Sequence, residues 1–194
     1  MDLTPPILEG THVRLEPLSL DHQAQLCDVG LDEEIWRWSM APIRTPDRMR
    51  VDIETALRWQ RDGTAIPFAT IEKSSGRAIG STRFANIDRR NRRAEIGWTW
   101  LGRQWWRTVM NTEAKYLMLS HAFEKLGCIR VEFKADALNE RSTRAILRIG
   151  ATHEGIFRNH MIAESGRVRN SAYFSIVDSE WPGIKLNLER MLAV

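Results

Sequence analysis

A short connection between a predicted strand and a predicted helix carries residues suited to binding an anion. It reads WWRTVMNTEAK, from Trp105 to Lys115, and follows the alternating run AEIGWTWLG. If Asn111 caps the helix, the backbone N–H groups from Thr108 to Thr112 converge with the positive end of the helix dipole behind them. The forked guanidinium of Arg107 adds donors for a phosphate oxygen. Two interpretations stay open: a diphosphate site, or a plain strand-to-helix connection in which Asn111 and Thr112 only cap the helix, which spacing alone favours.

The composition is ordinary for a soluble globular protein, since 43% of the 194 residues are apolar, 27% are charged and the net charge is +3. A chain of this length can bury about 70% of the surface that its unfolded form exposes, so we expect a single domain over residues 1–194 without a disulfide or metal. Cys27 and Cys128 predict two buried thiols in a reducing compartment. The sequence shows no signal peptide and no apolar run that could cross a membrane, so the expected location is cytoplasmic.

The elements that must position this connection form an α+β pattern. Alternating runs predict strands at about residues 12–18, 66–72, 78–87, 94–101 and 128–136, and a closing hairpin at 153–178 that turns at 164–166. Capped amphipathic runs predict helices at about residues 19–30, 45–63, 111–126, 139–150 and 179–192. The polar turn DRRNRR joins the third and fourth strands. The pattern therefore predicts a mostly antiparallel sheet with helices packed on it.

Five stretches of the chain match one known family in its own order: LEGTHVRLEPLSLDH, AEIGWTWL, NTEAKYLMLSHAFEKLG, NERSTRAILRIGATHEGIFRNH and EWP. With them the chain resembles the GNAT superfamily of acetyl-CoA-dependent N-acetyltransferases, and in particular the ribosomal-protein N-terminal (alanine) acetyltransferase branch. The resemblance implies the GNAT fold, a mixed, mostly antiparallel twisted sheet of about seven strands flanked by helices. It also implies a splay between the fourth and fifth strands that receives the thioester of acetyl-CoA, the co-substrate.

The resemblance implies an altered phosphate loop. In the family this loop usually reads Arg or Gln, two residues, Gly, one residue, and Gly or Ala. Trp106, Val109 and Asn111 stand at those three positions. Glycine is favoured there because the cofactor approaches the backbone closely or φ is positive, and β-branched Val109 tolerates neither well. We therefore expect strain at Val109, with a shifted or widened loop or weaker cofactor binding.

The resemblance also assigns contacts to acetyl-CoA. The backbone of the fourth strand pairs with the pantetheine arm like an added strand, the loop holds the diphosphate, and an Asn at the end of the fifth strand hydrogen-bonds the cofactor. No metal is implied. The implied cofactor-binding residues are Trp98, Thr99, Trp100, Trp106, Arg107, Thr108, Val109, Met110, Asn111, Thr112 and Asn139.

The implied mechanism is direct attack of a neutral primary amine on the thioester, with a backbone N–H of the fourth strand stabilising the oxyanion. Glu95 stands where many members carry a Glu that takes the amine proton, usually through water. Ser142 stands where this branch often has the hydroxyl that returns a proton to the departing thiolate. Each residue also fits a structural role: Glu95 as a solvent-facing residue or the partner of an arginine in DRRNRR, and Asn139 with Ser142 as the cap and first turn of the next helix.

The expected partner is an amine substrate, either a protein or peptide N-terminus or a small amine-bearing molecule. The protein itself is expected to be a monomer or a homodimer. Trp36, Trp38 and Trp59 are expected to divide between core and acceptor-pocket wall. A non-catalytic acyl-CoA-binding or regulatory module is an alternative, which the missing loop glycines favour. A ribosome- or RNA-associated protein that uses the DRRNRR arginines is another, although a solvated turn explains those arginines more simply. The five histidines share no metal-ligand spacing.

Overall fold

In the part of the chain that the structure describes, eight strands form one sheet. They are β1 Leu8–Glu9, β2 Val13–Pro17, β3 Ile66–Glu72, β4 Arg77–Asp88, β5 Arg93–Leu101, β6 Arg130–Asp136, β7 Thr152–Ile162 and β8 Val168–Val177. Their order across the sheet is β1-β2-β3-β4-β5-β6-β8-β7. The structure, a computed structural model, describes residues 1–193. All neighbouring strands are antiparallel except β5 and β6, which are parallel. The predicted α+β sheet is confirmed, and the strand that the pattern missed is the two-residue β1.

Among the described residues, five α-helices cover the two faces of this sheet. They are α1 Gln23–Gly30, α2 Pro46–Arg61, α3 Val109–Glu124, α4 Glu140–Arg148 and α5 Trp181–Leu192. Helices α3, α4 and α5 pack on one side around a core that includes Met118, Phe133 and Phe174. Helices α1 and α2 pack on the other side around Met49 and Ile53. We call these two sides the α3 face and the α2 face.

Local sequence explains why these elements form where they do. In β3, Phe68 belongs to the core of the α3 face and the next residue, Ala69, to the core of the α2 face. This alternation is what a strand buried on both sides requires. Helix α2 begins at Pro46 after the Thr45 cap, whose hydroxyl accepts a hydrogen bond from the N–H of Arg48 at 3.3 Å. Both patterns confirm the predicted elements.

Strands β5 and β6 separate soon after they meet. Their parallel pairing covers three residue pairs, the last of which joins Glu95 to Glu132. Beyond that point β5 continues along β4 to Leu101, and β6 continues along β8 to Asp136. A wedge-shaped gap, here called the slot, therefore lies between residues 96–101 of β5 and residues 133–136 of β6. The predicted splay between these two strands is confirmed.

The long helix α3 starts earlier than the sequence pattern predicts. Thr108 is its N-cap, with an extended φ of −96° and ψ of 177°, and the Thr108 hydroxyl accepts from the N–H of Met110 at 3.4 Å. Asn111 is instead the third residue of the helix, so the cap predicted at Asn111 is wrong. Threonine and asparagine can both cap a helix. The Thr108 hydroxyl also donates to the carbonyl of Trp105 at 2.7 Å. This contact favours Thr108 as the cap, and the spacing of residues cannot reveal it.

The two cysteines differ in their surroundings. Cys128 is buried, as predicted, whereas Cys27 in α1 is only half-buried, so the prediction of two buried thiols is wrong for Cys27. Burial raises the pKa of the Cys128 thiol to about 11. A thiol with such a pKa is a packing residue rather than a nucleophile at neutral pH.

Glu113 anchors the N-terminal segment to α3. Its side chain is buried, and its carboxylate accepts hydrogen bonds from the N–H groups of Thr11 at 2.8 Å, His12 at 2.7 Å and Val13 at 2.6 Å. A Cβ added at Gly10 would lie 2.6 Å from the Glu113 Cδ, so glycine is what allows this close approach. A buried carboxylate is tolerated when hydrogen bonds replace its hydration. Glu113 therefore fixes the start of β2 against α3.

We predict that Glu113→Ala lowers the free energy of unfolding by about 3 kcal/mol or more, because three N–H donors lose their acceptor. Chemical denaturation followed by tryptophan fluorescence measures the change. The control is Glu54→Ala, which removes a half-exposed carboxylate of α2 that pairs with Arg50. The control should cost less than about 0.5 kcal/mol. Equal losses in the two variants would contradict the anchoring role of Glu113.

Candidate active site

A bulge in β5 shapes one wall of the slot. The pairing of β4 with β5 shifts register so that Trp98 and Thr99 together lie opposite Thr82, and Trp98 has a φ of +49°. An extra residue in one strand leaves backbone groups unpaired and re-aims the side chains that follow. Here Trp98 packs against Trp59 of α2, whereas the Thr99 hydroxyl contacts Lys115 of α3. The bulge therefore reverses the alternation of β5: Ala94 and Ile96 face α3, whereas Trp98 and Trp100 beyond it face α2.

The connection after β5 forms a tight loop with its strained residue at an unexpected position. A 3-10 turn at Arg103–Trp105 is followed by Trp106 in an extended conformation and by Arg107 with a φ of +64°. Val109 is the first residue of α3, and it is not among the residues with a positive φ. The strain predicted at Val109 is therefore wrong. A β-branched residue fits the first helical turn, and the left-handed conformation lies two residues earlier, at Arg107.

Trp106 is held between the loop and α4. Its Nε1 donates to the carbonyl of Leu101 at 2.9 Å, and the guanidinium carbon of Arg141 lies 3.4 Å from the centroid of its ring. Arg103 approaches the same ring at 5.9 Å. The aromatic face attracts each guanidinium, so the first turn of α4 is tied to the loop between β5 and α3 through a stacked pair.

Further arginines contact the start of α3 or lie close to Arg141. Arg148 of α4 donates to the Thr112 hydroxyl in the first turn of α3 at 2.7 Å. Burial lowers the pKa of Arg141, the charge of Glu34 opposes that shift, and the charges of Arg103 and Arg107 add to it. An anion between the guanidinium groups of Arg103, Arg107 and Arg141 would relieve their repulsion, and α3, which begins two residues after Arg107, offers backbone N–H groups to such an anion.

The arginine cluster is the name used here for Arg103, Arg107, Arg141 and Arg148. Of these, only Arg107 was expected from the sequence. Arg103 and Arg141, which approach Trp106, and Arg148, which contacts α3, were missed because their positions depend on how α4 and the 3-10 turn pack, which no local pattern encodes. The usable signal was the position of Arg141, two residues after Asn139.

Asn139 and Ser142 occupy the start of α4, where β6 ends. The side-chain oxygen of Asn139 accepts a hydrogen bond from the N–H of Ser142 at 3.1 Å and caps the helix. The structural role considered for this pair, as the cap and first turn of α4, is therefore present. Their contacts with a cofactor and the proton-donating role of Ser142 stay predictions.

Glu95 is buried beside the narrow end of the slot. Its carboxylate accepts a hydrogen bond from the side-chain amide of Asn86 at 2.8 Å and lies 3.4 Å from the Lys134 ammonium. Neither structural alternative expected for Glu95 is found, because it is only 4% exposed and its cationic partner is not in the DRRNRR turn. Its neighbours Ala94 and Ile96 face the α3 core, so Glu95 points to the α2 face. Ser142 lies on the other side, since α4 packs on the α3 face.

Of the three tryptophans expected in the core or in the wall of an acceptor pocket, Trp36 lies in the core, whereas Trp38 and Trp59 are half-buried and their place in a pocket wall stays a prediction. Trp36 is buried in the core of the α2 face and contacts Trp100, with 5.3 Å between ring centroids. Trp59 and Trp98 flank the buried Arg83 guanidinium at 5.6 and 5.5 Å. Trp98 is 38% exposed, so this pair can line a pocket on the α2 face.

Lys115 is a buried residue that the sequence analysis did not single out. It is 6% exposed, and its Nζ donates to the hydroxyls of Thr99 at 2.6 Å and Thr82 at 3.3 Å. Burial lowers its pKa from 10.5 to about 7, and no charged neighbour contributes to the shift. Most buried lysines have a carboxylate partner, and this one has two neutral hydroxyls.

Comparison with known proteins identifies the family. A family model described as an acetyltransferase (GNAT) domain matches residues 12–152. The chain belongs to the GNAT family. A GCN5-related N-acetyltransferase from Brucella melitensis is 34% identical in sequence, with a TM-score of 0.90, over 97% of this chain and 86% of that chain. The GNAT resemblance is confirmed, and this chain is an N-acetyltransferase.

Two further relatives bear on this GNAT acetyltransferase. YdaF of Bacillus subtilis (strain 168), provisionally named a ribosomal N-acetyltransferase, is 33% identical over 110 residues, or 57% of this chain and 59% of YdaF. RimJ of Mycobacterium smegmatis, solved in complex with CoA-disulfide, shares the fold with a TM-score of 0.80 at 19% identity, over 95% of this chain and 91% of that chain. Acetyltransferases of the GNAT family act on amines.

The described part of this acetyltransferase has neither a metal-binding cluster nor a membrane-spanning helix. Within residues 1–193, no group of His, Cys, Asp and Glu side chains is arranged to hold a metal ion. Among the helices of that part, none is long and apolar enough to cross a membrane.

We predict that Lys115 gives this acetyltransferase an unusual dependence of stability on pH. Folding disfavours the charged form, so between about pH 7 and the ordinary pKa of 10.5 the native state binds fewer protons than the unfolded state. Stability must then rise with pH in that window. At about 1.36 kcal/mol per pKa unit, wild type should gain about 2 to 3 kcal/mol relative to Lys115→Met between about pH 7 and pH 9. Denaturant titrations of both proteins measure the difference, and a constant difference would contradict the lowered pKa.

We also predict that Arg107→Gly is more stable than Arg107→Ala. Both changes remove the guanidinium, but only glycine adopts the φ of +64° without strain. The left-handed conformation costs a residue with a Cβ about 1 to 2 kcal/mol, so the glycine variant should be the more stable by about 1 kcal/mol. Thermal and chemical unfolding of the two variants test this. The reverse order would mean that position 107 carries no backbone strain.

Proposed function

We propose that this chain transfers the acetyl group of acetyl-CoA to a primary amine, with residues 1–194 as one GNAT domain. The observation that carries the proposal is the continuity between the slot and the arginine cluster. The bulged part of β5 leads directly into the loop of Trp106 and Arg107 and into the start of α3. Acetyl-CoA carries its thioester on an extended, amide-containing arm that ends in a diphosphate. The order of these groups matches the order of the slot, the loop and the start of α3. RimJ, which has the same fold, binds CoA-disulfide.

Each part of acetyl-CoA has a proposed partner. The pantetheine arm lies along the edge of β5 that faces the slot, where its amides pair with the backbone of Trp98 to Trp100. The diphosphate sits at the N–H groups of the α3 start, between Thr108 and Thr112, with Arg107 beside it. Arg141 reaches the phosphates from the opposite wall, over the ring of Trp106. Positive charge from several guanidinium groups replaces the glycine-rich approach that the family usually has.

The amine enters from the α2 face and attacks the thioester carbonyl directly. Glu95, held by Asn86 and Lys134, takes the amine proton, directly or through a water molecule. An unpaired backbone N–H of the bulge stabilises the oxyanion. Trp59 and Trp98 contribute to the wall of the acceptor pocket. The acceptor is a primary amine, either of a protein or peptide N-terminus or of a small molecule.

The experiment measures CoA binding and CoA release with one protein sample. Saturating acetyl-CoA should raise the melting temperature through its preference for the native state. Release of CoA thiol is then followed with a panel of peptides that differ in their N-terminal residue and a panel of small amines. An unmoved melting temperature would overturn the proposal. A raised melting temperature without turnover on either panel would favour a non-catalytic acyl-CoA-binding module.

We predict that Glu95→Gln lowers kcat by about 100-fold and leaves the KM for acetyl-CoA nearly unchanged, because a general base acts in the chemical step. The control is Glu132→Gln, which changes the residue paired with Glu95 on β6, a carboxylate bound to Arg93 and Arg130 outside the slot. The control should retain kcat within about 3-fold, since it lacks a role in proton transfer. A Glu95→Gln enzyme with the wild-type pH–rate profile would remove Glu95 from the base role.

A further inference from the structure

Lys115 is a charged group in the interior of the molecule. The proposed steps of acetyl transfer give it no role. Its ammonium lies beneath β4 and β5, where its polar neighbours are the hydroxyls of Thr82 and Thr99. The two hydroxyls are themselves 2.7 Å apart, so they could satisfy each other without a lysine. Burial of an ammonium without a carboxylate is costly. A methionine or leucine at position 115 would avoid that cost.

Thr99 connects this buried ammonium to the slot. It lies four residues beyond Glu95, where the pairing of β5 with β6 ends, and it is exposed whereas Lys115 is not. Its hydroxyl makes a 2.6 Å contact with the Lys115 Nζ. Thr99 also follows Trp98 in the bulge, the segment that the thioester arm pairs with under the proposed function. Under the proposed function, the Thr99 hydroxyl then lies between the ammonium and the bond that breaks.

The two proton-handling groups lie on opposite faces of one strand. Glu95 faces α2, from which the amine enters, and Lys115 reaches the slot from α3. Direct transfer needs a proton acceptor on the side of the amine and a proton donor on the side of the thiolate. The structure offers one on each face.

We propose that Thr99 and Lys115 form a proton relay that protonates the departing CoA thiolate, an inference that rests on the proposed function. As the C–N bond forms and the C–S bond breaks, the electron pair of the C–S bond goes to sulfur. The Thr99 hydroxyl gives its proton to that sulfur and takes one from the Lys115 ammonium. Glu95 holds the proton that the amine loses. The neutral Lys115 amine regains a proton from solvent after CoA departs.

The surroundings of Lys115 make its titration separable from other groups. From β4 and β5 it meets only the two threonine hydroxyls, and Thr82 also approaches the Met118 sulfur at 3.5 Å. Glu113, two residues earlier on α3, is turned to the backbone of residues 11–13. With a pKa of about 7, Lys115 loses its acid form as pH rises through neutrality. Proton transfer to a thiolate, whose conjugate acid has a pKa of about 8.5, is then favourable.

The test is the pH dependence of kcat for acetyl transfer in wild type, Lys115→Met, Thr99→Val and the control Lys125→Met. Lys125 is an exposed lysine just after the other end of α3. Wild type and the control should lose kcat as pH rises above about 7. Lys115→Met and Thr99→Val should each lower kcat by about 10-fold or more below that pH and lack this decline, with the KM for acetyl-CoA within about 3-fold.

Each outcome decides the inference. A Lys115→Met enzyme that keeps the decline above neutral pH overturns the relay, even if its kcat is low, because a merely structural loss would not remove a titration. If Lys115→Met does not fold, Thr99→Val decides alone, since it removes one hydroxyl and preserves side-chain shape. Wild type that turns over no amine would refute the proposed function itself, which is a different result from active wild type and unaltered profiles in the variants. Thr99→Val with a wild-type profile would place the thiolate's acid elsewhere, for example at Ser142.

Discussion

The early end of the pairing between β5 and β6 is the constraint on which the site depends. Parallel pairing stops at Glu95 and Glu132 because each strand is held more extensively by its other neighbour. The bulge at Trp98 adds to the separation by turning its indole toward Trp59 on the α2 face. The slot is thus kept open by packing outside it, and the loop, the start of α3 and the cap of α4 all lie where these strands lead.

Buried and clustered charges separate structural from functional positions. Glu113 is buried, yet three N–H groups satisfy its carboxylate, and its effect is to fix β2 against α3. Lys115, on the same helix, meets only neutral hydroxyls, and the arginines around Trp106 repel each other. Groups whose charge the protein leaves uncompensated lower stability, and proteins tolerate this mainly where a ligand or a reaction uses the charge. Lys115 lies beside the slot, and so do the arginines around Trp106, whose charge Asp32 and Glu34 offset only in part.

Much of the fold follows from local sequence, whereas the arrangement of the site does not. The alternation of β3 and the Thr45 cap before Pro46 are local signals, and both elements form as predicted. The start of α3 was misplaced because Thr108 and Asn111 are both good caps. The stacking of Arg141 on Trp106 depends on the docking of α4, far along the chain. Lys115 did leave a signal, since it is three residues before the buried Met118 on the same helical stripe.

The loop accommodates its missing glycines by placing the left-handed turn elsewhere. Val109 needs no positive φ because it already belongs to α3, and the chain reverses at Arg107 instead. A left-handed arginine is costly where glycine would be free, so retention of a side chain there indicates that the side chain is useful. An anion at the start of α3 would meet that guanidinium, the Arg141 fork and the helix N–H groups together. The same ligand would relieve the repulsion among these arginines and would use the side chain that Arg107 keeps at its strained position, which links the shape of the loop to the chemistry of a diphosphate.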